Sequence, residues 1–290
     1  MRNDFAVFIL THGRADNVIT YNTLYKQGYT GKVYIVIDNE DEAAADYKNR
    51  FGDKVVVFDK EAISKTFDTG DNLSDRRTVV FARNACFDLA RQLNVKYFMQ
   101  LDDDYVAFEY KFDKNFNYWQ TGKKIKSLDK VLEAVLDFYI ESNALTVAFA
   151  QNGDFMGGRY GGWAKSGIKL YRKAMNTFMC SVDRPFQFVG RVNEDVNTYT
   201  TLGNRGMLLL TVPNVSIIPK STQQGTGGMT DLYLDYGTYM KSVYTVMYSP
   251  SNVSIRSFGN NHKRLHHNVA WKNASPLVIA NTSIKPTGSA

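Results

Sequence analysis

The sequence has little cysteine and no long apolar segment. Its two cysteines, Cys86 and Cys180, lie in apolar or helical contexts rather than at the spacing of metal ligands. This argues against a disulfide-stapled fold and favours reduced thiols in a cytosolic protein. The apolar run at 5–10 is too short for the core of a signal peptide, and no stretch approaches the length of a membrane span. We therefore expect a soluble intracellular protein without a membrane partner.

Repeats and low-complexity linkers are also absent, and the composition is that of a globular protein. Apolar residues make up 44% of the chain and charged residues 22%, which argues against intrinsic disorder. The net charge of +6 and the pI near 9.1 favour a polyanionic partner such as nucleic acid, or a phosphorylated metabolite. A single domain spanning 1–290 is the expected organisation.

The first half of the chain alternates strands and helices. Short β-branched or aromatic runs at 5–11, 32–38, 54–58 and 96–102 predict strands that are covered on both faces. Apolar residues at intervals of three and four predict a helix at 76–93. This order predicts an α/β, Rossmann-like, mostly parallel central sheet with helices on both faces. Its ligand should bind at the carboxyl ends of the strands.

The second half continues this alternation less regularly. A helix is predicted at about 127–142 and a strand at 145–151, followed by a glycine-rich loop at 153–167. Residues 207–218 predict a further pair of strands, and residues 221–231 a mobile loop.

Three consecutive carboxylates, Asp102, Asp103 and Asp104, follow a predicted buried strand. Like charges repel, and a divalent cation would neutralise them; oxygen ligands suit the hard ions Mg²⁺ and Mn²⁺. A D-x-D spacing also puts the first and third side chains on one side of an extended segment. The alternative is a solvated acidic turn without a metal.

A second acidic pair, Glu194 and Asp195, precedes a probable helix. A carboxylate in this position is either an N-terminal cap that interacts with the helix dipole, or a general base that takes a proton from an acceptor hydroxyl. Histidine is scarce, yet His262, His266 and His267 cluster near the C-terminus. One of them is a candidate imidazole ligand for Mn²⁺.

Several short segments occur in one order along the chain: FILTHGR, VIDNED, the ARN helix, LDDD, the glycine-rich loop, NEDVNTY and a late histidine. Together they resemble the GT-A class of nucleotide-sugar-dependent glycosyltransferases. A narrower resemblance, in THGR, LDDDY, GRVNEDVNTY and RLHHNVAW, is to the phage-borne TET-associated glycosyltransferases. That family is implied to transfer sugars to 5-hydroxymethylpyrimidines in DNA.

The resemblance implies a role for each matching residue. Donor binding is assigned to Thr11, Arg14, Asp38, Glu40, Arg83, Asp102 and Asp103, with Asp38 and Glu40 as alternatives in the nucleoside pocket. Metal binding is assigned to Asp104, Asp102 and either His266 or His267. Catalysis is assigned to Asp195, with Glu194 beside it. If DNA is the acceptor, Gly158, Arg159, Tyr160, Trp163 and Lys165 are candidates for contacting it.

The implied enzyme uses Mn²⁺ or Mg²⁺ and a UDP-sugar, and modifies hydroxymethylcytosine in double-stranded DNA in the cytoplasm of a phage-infected host. Residues 1–110 would form the nucleotide-sugar half, and 111–290 the acceptor half with the C-terminal segment. Asp195 would act as the base in a direct displacement that inverts the anomeric carbon. Alternatives are a glycosyltransferase for carbohydrate or lipid-linked acceptors, a nucleotidyltransferase and a non-catalytic DNA-binding module.

Overall fold

A computed structural model of the chain describes residues 1–161, 167–220, 237, 239–259, 263–281 and 284. Its central feature is a sheet of nine strands. They are β1 (Phe5–Leu10), β2 (Lys32–Asp38), β3 (Val55–Phe58), β4 (Tyr97–Asp102), β5 (Tyr105–Phe112), β6 (Tyr118–Lys124), β7 (Thr146–Gln151), β8 (Phe178–Ser181) and β9 (Leu209–Pro219). A separate hairpin pairs β10 (Val253–Phe258) with β11 (Arg264–Val269).

Eight α-helices accompany these strands in the described residues. They are α1 (Ile19–Lys26), α2 (Ala44–Phe51), α3 (Lys60–Ser64), α4 (Val80–Gln92), α5 (Leu128–Ser142), α6 (Glu194–Gly203), α7 (Met240–Tyr248) and α8 (Trp271–Ala274). None of the helices in this part of the chain is long and apolar enough to cross a bilayer.

The strands of the sheet lie in the order β3-β2-β1-β4-β8-β7-β9-β5-β6. The first four are parallel, as expected for strand–helix–strand crossovers. Beyond them, β8 runs antiparallel to both β4 and β7, and β5 runs antiparallel to both β9 and β6. The predicted α/β class with a Rossmann-like sheet is confirmed, and the second half of the sheet adds antiparallel pairs that the sequence did not predict.

Alternation along β1 explains why both faces of the sheet are covered. Phe5, Val7 and Ile9 pack in one core with residues of α1, α2 and α5, whereas Phe8 and Leu10 pack in a second core with α4 and α6. Every residue of β1 is buried, as its continuous apolar run predicts.

Helix α1 is fastened to the antiparallel half of the sheet through one buried amide. The Gln27 side chain donates to the carbonyls of Phe108 and Ile125, at 2.8 and 2.7 Å, and accepts from the Phe108 N–H at 2.7 Å. Each polar atom of the amide group is thereby satisfied, which is what burial requires. The C-terminal end of α1 is thus tied to β5.

Most of the predicted elements occur within one to four residues of their expected ends. The predicted strand pair at 207–218 is wrong, because this segment forms the single long strand β9. A bulge opposite the step from Phe149 to Ala150 separates two pairing registers in β9. This bulge accounts for the polar interruption in the apolar segment, which predicted a break between two strands. The predicted mobile loop at 221–231 lies outside the described residues.

Gly28, which follows α1, offers a test of this packing. Its backbone has φ +84°, and a Cβ there would lie 2.5 Å from the Lys126 carbonyl oxygen. Gly28→Ala should therefore lower the free energy of unfolding by more than about 1 kcal/mol, as measured by urea denaturation. Gly153→Ala, where a Cβ meets open space, is the matched control and should have little effect. Equal stability of the two variants would contradict this account.

Candidate active site

The three aspartates lie at the carboxyl end of β4, in the middle of the sheet. Asp102 is the last residue of β4, whereas Asp103 and Asp104 form a turn that leads into β5. The prediction that Asp102, Asp103 and Asp104 form an extended segment is therefore wrong, because the chain turns directly after Asp102. The turn nevertheless keeps all three carboxylates at the edge where a doubly wound sheet binds its ligand.

Asp103 is held by the segment that follows β1. The Thr11 hydroxyl donates to Asp103 Oδ2 at 2.6 Å, and the Arg14 guanidinium lies 3.5 Å from Oδ1. The buried Tyr47 hydroxyl lies 2.8 Å from Thr11 Oγ1 and accepts a hydrogen bond from the Arg14 N–H. Thr11, Arg14 and Asp103, three of the predicted donor-binding residues, thus form one network.

Asp104 lacks such partners. Within the described residues no other side chain forms a hydrogen bond or an ion pair with its carboxylate. Burial, together with the negative charges of Asp102 and Asp103, raises the pKa of Asp104 to about 7. The local charge therefore favours a cation at this carboxylate.

Arg83 of α4 connects the two acidic sites. Its Nη2 donates to Asp102 Oδ1 at 3.0 Å, and its Nε donates to Glu194 Oε1 at 2.9 Å. The guanidinium is 2% exposed and lies over the Phe178 ring, with its Cζ 4.9 Å from the ring centroid. Nη1 is buried without a hydrogen-bond partner in the structure. Asp102 and Glu194, 92 positions apart in the sequence, consequently share one cation.

Glu194 and Asp195 begin α6, directly after Asn193 in the left-handed conformation. Burial raises the pKa of Glu194 even though Arg83 favours its charged form. Asp195 is turned differently: its Oδ1 accepts the Val196 N–H at 2.8 Å, and its Oδ2 lies 3.9 Å from Lys173 Nζ. Glu194 is therefore paired with Arg83 at 2.9 Å, whereas Asp195 lies 3.9 Å from its cation, Lys173.

The two adjacent histidines of β11 have different surroundings. His267 Nδ1 lies 3.5 Å from Asn193 Nδ2, next to the start of α6. His266 Nδ1 lies 2.6 Å from the His267 carbonyl oxygen, and the two rings have centroids 4.4 Å apart. Burial, followed by the charges of His266 and Lys173, lowers the pKa of His267 to about 4. His267 is the histidine that approaches Asp195 and is neutral at physiological pH.

Asp38, at the end of β2, is enclosed by cations. It accepts from His12 Nδ1 at 2.8 Å, from the Glu40 N–H at 3.1 Å, and from the buried Lys60 Nζ at 3.2 Å. Burial opposes ionisation, but the hydrogen bond from His12 and the charge of Lys60 hold the pKa of Asp38 below its ordinary value. Glu40 is paired with Arg76, with oxygen and nitrogen 2.5 Å apart. Both predicted nucleoside-pocket acids thus have partners within the protein.

The predicted acceptor-contacting residues lie after β7. Gly158, Arg159 and Tyr160 form a short 3₁₀ turn, in which Arg159 is exposed and Tyr160 is 83% exposed. Trp163 and Lys165 lie outside the described residues, as does His262. The roles of all these residues remain predictions.

A family model for the TET-associated glycosyltransferases matches residues 5–228, which is most of the chain and includes both acidic sites. The chain belongs to this family. It is therefore a glycosyltransferase. No curated protein sequence matches the chain.

The solved structures similar to this glycosyltransferase include the following two. The structure of TarS 1–349 from S. aureus has 13% identity and a TM-score of 0.40, covering 83% of this chain and 65% of that one. The chain thus spans slightly less than two thirds of that TarS fragment. Glucosyl-3-phosphoglycerate synthase from Mycobacterium tuberculosis, in complex with Mn²⁺, uridine diphosphate and phosphoglyceric acid, has 9% identity and a TM-score of 0.47. That match covers 91% of this chain and 86% of the synthase.

The sequence did not reveal several residues that shape the site. Tyr47, Lys60 and Lys173 contact Thr11, Asp38 and Asp195 from elements that the sequence did not connect with them. Tyr47 lies on α2 and Lys60 on α3, and their local sequence patterns are those of ordinary helices. Their importance follows from long-range packing rather than from a motif.

The contact between His12 and Asp38 makes a testable prediction. The hydrogen bond to Asp38 is the main cause that raises the pKa of His12 above its ordinary value. In Asp38→Asn the pKa of His12 should fall, because burial and the positive charge of Lys60 both lower it and the Asp38 carboxylate no longer opposes them. Asp41→Asn, which removes a carboxylate 3.5 Å away, should lower it less. Titration of the imidazole C2 proton by NMR measures both changes.

Stability should follow the same linkage. The pKa of His12 is higher in the folded than in the unfolded state. Its contribution to the free energy of unfolding is therefore fully present below the unfolded-state pKa and is lost as the pH rises through the folded-state pKa. The stability difference between the wild-type protein and Asp38→Asn should therefore be larger at pH 6 than at pH 8 in urea denaturation. An unchanged His12 pKa in the Asp38 variant would contradict this assignment.

Proposed function

We propose that this enzyme transfers a sugar from a UDP-sugar to the hydroxymethyl group of 5-hydroxymethylcytosine, or a related hydroxymethylpyrimidine, in phage DNA. The observation that carries this proposal is the Arg83 bridge between Asp102 and Glu194. It joins Asp102 of the predicted donor site to Glu194, the neighbour of the predicted base Asp195, and transfer between two substrates requires that such groups lie close together. The family description, which names an association with TET, supports this acceptor.

The same bridge supports the proposed division of labour within a single domain. Residues 1–110 supply the loops after β1, β2 and β4, which would bind the nucleotide-sugar. Residues 111–290 supply α6 and the β10–β11 hairpin, which would complete the acceptor side. The central sheet takes strands from both parts.

The residues at the acidic turn fit a divalent cation. Asp104 offers a carboxylate without a side-chain partner among the described residues, and Asp102 uses one oxygen for Arg83. Carboxylate oxygens suit Mg²⁺ and Mn²⁺, and a neutral imidazole such as that of His267 suits Mn²⁺. In the described residues no three side chains of ligand type already converge as a metal centre. We assign Asp102, Asp104 and His267 as the residues that would hold the metal.

Asp195 is the better candidate for the general base. Glu194 is bonded to Arg83, which favours its charged form and fixes its orientation. Asp195 has one oxygen on the N-terminal backbone of α6 and the other 3.9 Å from Lys173. In the proposed reaction, Asp195 accepts the proton of the acceptor hydroxyl as that oxygen attacks the anomeric carbon, and the bond to the diphosphate breaks with inversion.

The bound metal would supply electrostatic stabilisation of the departing diphosphate. Arg14 and Arg83 are the guanidinium groups that lie against the carboxylates of Asp103 and Asp102. Arg83 holds Asp102 in place, and its Nη1 is a donor that has no partner among the described residues. A forked guanidinium is suited to binding phosphate oxygens.

Charge and exposed aromatic groups near the sheet edge support a DNA acceptor. The β5–β6 hairpin carries exposed Phe116 at its tip, and the neighbouring turn carries exposed Arg159 and Tyr160. Four exposed lysines belong to the same region: Lys114, Lys123, Lys124 and Lys126. A basic surface of this kind is suited to a phosphate backbone, and such binding weakens steeply with salt. A DNA acceptor would place the reaction in the cytoplasm of the infected host.

Replacement of each acid should separate donor binding from catalysis. Asp195→Asn should lower kcat by about 10²–10⁴-fold, because it removes the base, and should leave UDP binding largely intact. Asp104→Ala should instead weaken Mn²⁺-dependent UDP binding. Because the pKa of Asp104 is about 7, metal affinity should rise as the pH increases through neutrality and its carboxyl loses a proton.

Steady-state kinetics and calorimetric titration with UDP and Mn²⁺ measure these effects. Asp53→Asn, at an exposed position outside the site, is the control and should match the wild-type protein in both. Equal loss of binding and turnover in the two site variants would contradict the separate roles.

Incubation with Mn²⁺, hydroxymethylated duplex DNA and a panel of UDP-sugars tests the substrate assignment directly. A sugar added to the hydroxymethyl nucleoside, detected by mass spectrometry of digested DNA, is the expected product. The rate should fall steeply as salt increases. Transfer to glycans without salt-sensitive DNA binding would favour a carbohydrate acceptor, and release of pyrophosphate from a nucleoside triphosphate would favour a nucleotidyltransferase.

A further inference from the structure

Thr20, in the first turn of α1, is bonded to both sides of the acidic turn. Its hydroxyl donates to the Asp102 carbonyl oxygen at 2.6 Å and accepts the Tyr105 N–H at 2.9 Å. Its own N–H donates to the Asp103 carbonyl oxygen at 3.0 Å. Thr20 is fully buried, so water does not compete for these bonds.

These three bonds hold the turn from the side of α1, and the Lys220 N–H donates to the Asp104 carbonyl oxygen at 2.8 Å. The hydroxyl lies between the carbonyl before the two-residue turn and the N–H after it, and therefore closes a ring around Asp103 and Asp104. The backbone bond to Asp103 uses an N–H that the start of a helix leaves without an intrahelical partner. Strands β4 and β5 do not pair with each other, and so no ladder between them holds this turn.

Helix α1 is a rigid support for Thr20. Its other end is tied to β5 through Gln27, and Leu24 packs in the core between α1 and the sheet. The positive end of α1 also lies beside the acidic turn, where the helix dipole favours negative charge. The position of Thr20 is thus fixed independently of the turn that it holds.

We propose that Thr20 is a positioning residue for the metal site: its hydroxyl sets the separation of the Asp102 and Asp104 carboxylates and so determines the affinity for the cation that binds the donor diphosphate. This inference rests on the proposed metal-dependent function and adds a residue that contacts neither metal nor substrate. Residues that orient metal ligands commonly change metal affinity by about 10–100-fold when they are replaced.

Thr20→Val tests the proposal, because it removes the hydroxyl while keeping the shape of the side chain. The readout is Mn²⁺ binding to the protein in the presence of UDP, followed by the electron paramagnetic resonance signal of free Mn²⁺. Thr20→Val should raise the dissociation constant for Mn²⁺ by about tenfold or more. Thr20→Ser retains the hydroxyl and should restore nearly wild-type affinity.

Thr23→Val on the same helix is the matched control. Thr23 is also buried, and its hydroxyl makes no hydrogen bond to the described residues, so its replacement should leave Mn²⁺ affinity unchanged. If Thr20→Val does not fold, as judged by thermal unfolding, Thr20→Ala removes the same hydroxyl without the branched side chain and should show the same loss of affinity.

The outcomes distinguish this inference from the proposed function. Mn²⁺ affinity in Thr20→Val or Thr20→Ala equal to that of Thr23→Val, with Mn²⁺ bound normally by the wild-type protein, would overturn the role of Thr20 alone. Equal damage in Thr20→Ser would also overturn it, because the methyl group rather than the hydroxyl would then matter. No binding of Mn²⁺ by the wild-type protein would overturn the metal assignment and this inference together.

Discussion

The charge balance around Arg83 is the constraint on which the site depends. One buried guanidinium serves two carboxylates, Asp102 and Glu194, in a region that also contains Asp103, Asp104 and Asp195. Removing one partner from a buried ion pair leaves the other charge unpaired and lowers the free energy of unfolding. Replacement of Arg83, Asp102 or Glu194 alone is therefore expected to destabilise the protein. Arg14 lies near Asp103 and Lys173 near Asp195, whereas Asp104 has no such ion pair with the described residues, and burial beside Asp102 and Asp103 raises its pKa. The protein thereby holds a site whose charge favours a further cation.

Assembly of this site depends on contacts between distant parts of the chain. Asp102 meets Arg83 across the second core, where α4 packs against the sheet, whereas Thr20 reaches the turn from the first core on the opposite face. Contacts from both faces of the sheet therefore hold the acidic turn: Arg83 on one face and Thr20 on the other. This explains how three like charges are kept at the end of a buried strand: hydrogen bonds to the backbone of the turn and to Asp103 oppose their mutual repulsion.

The sequence predicted what depends on local pattern and missed what depends on tertiary pairing. Strands β1, β2 and β4 were predictable because their continuous apolar runs are typical of strands buried on both faces. The place of β8 and β5 in the sheet was not, since antiparallel insertion depends on which edges meet and not on periodicity. The motif residues Asp102 and Asp195 stand out as charges beside apolar segments. Thr20 does not, because a threonine in the first turn of a helix is common and its partners lie more than 80 positions away.

The sequence also could not distinguish His266 from His267 as the candidate metal ligand. Two adjacent histidines are equivalent as metal ligands in sequence, and only the position of β11 beside α6 separates them. His267 lies next to Asn193, the residue that precedes Glu194 and Asp195, and its lowered pKa keeps the imidazole neutral, the form that binds a metal. His266 Nδ1 donates to the carbonyl oxygen of His267, which leaves Nε2 as its acceptor nitrogen, so the contact with Asn193 rather than the tautomer distinguishes the two histidines. Asn193 adopts a left-handed conformation at the start of α6, and its side chain contacts His267, so one residue connects β11 with the segment that carries Glu194 and Asp195. Under the proposed function, this contact would hold the candidate metal ligand His267 and the candidate base Asp195 in one arrangement.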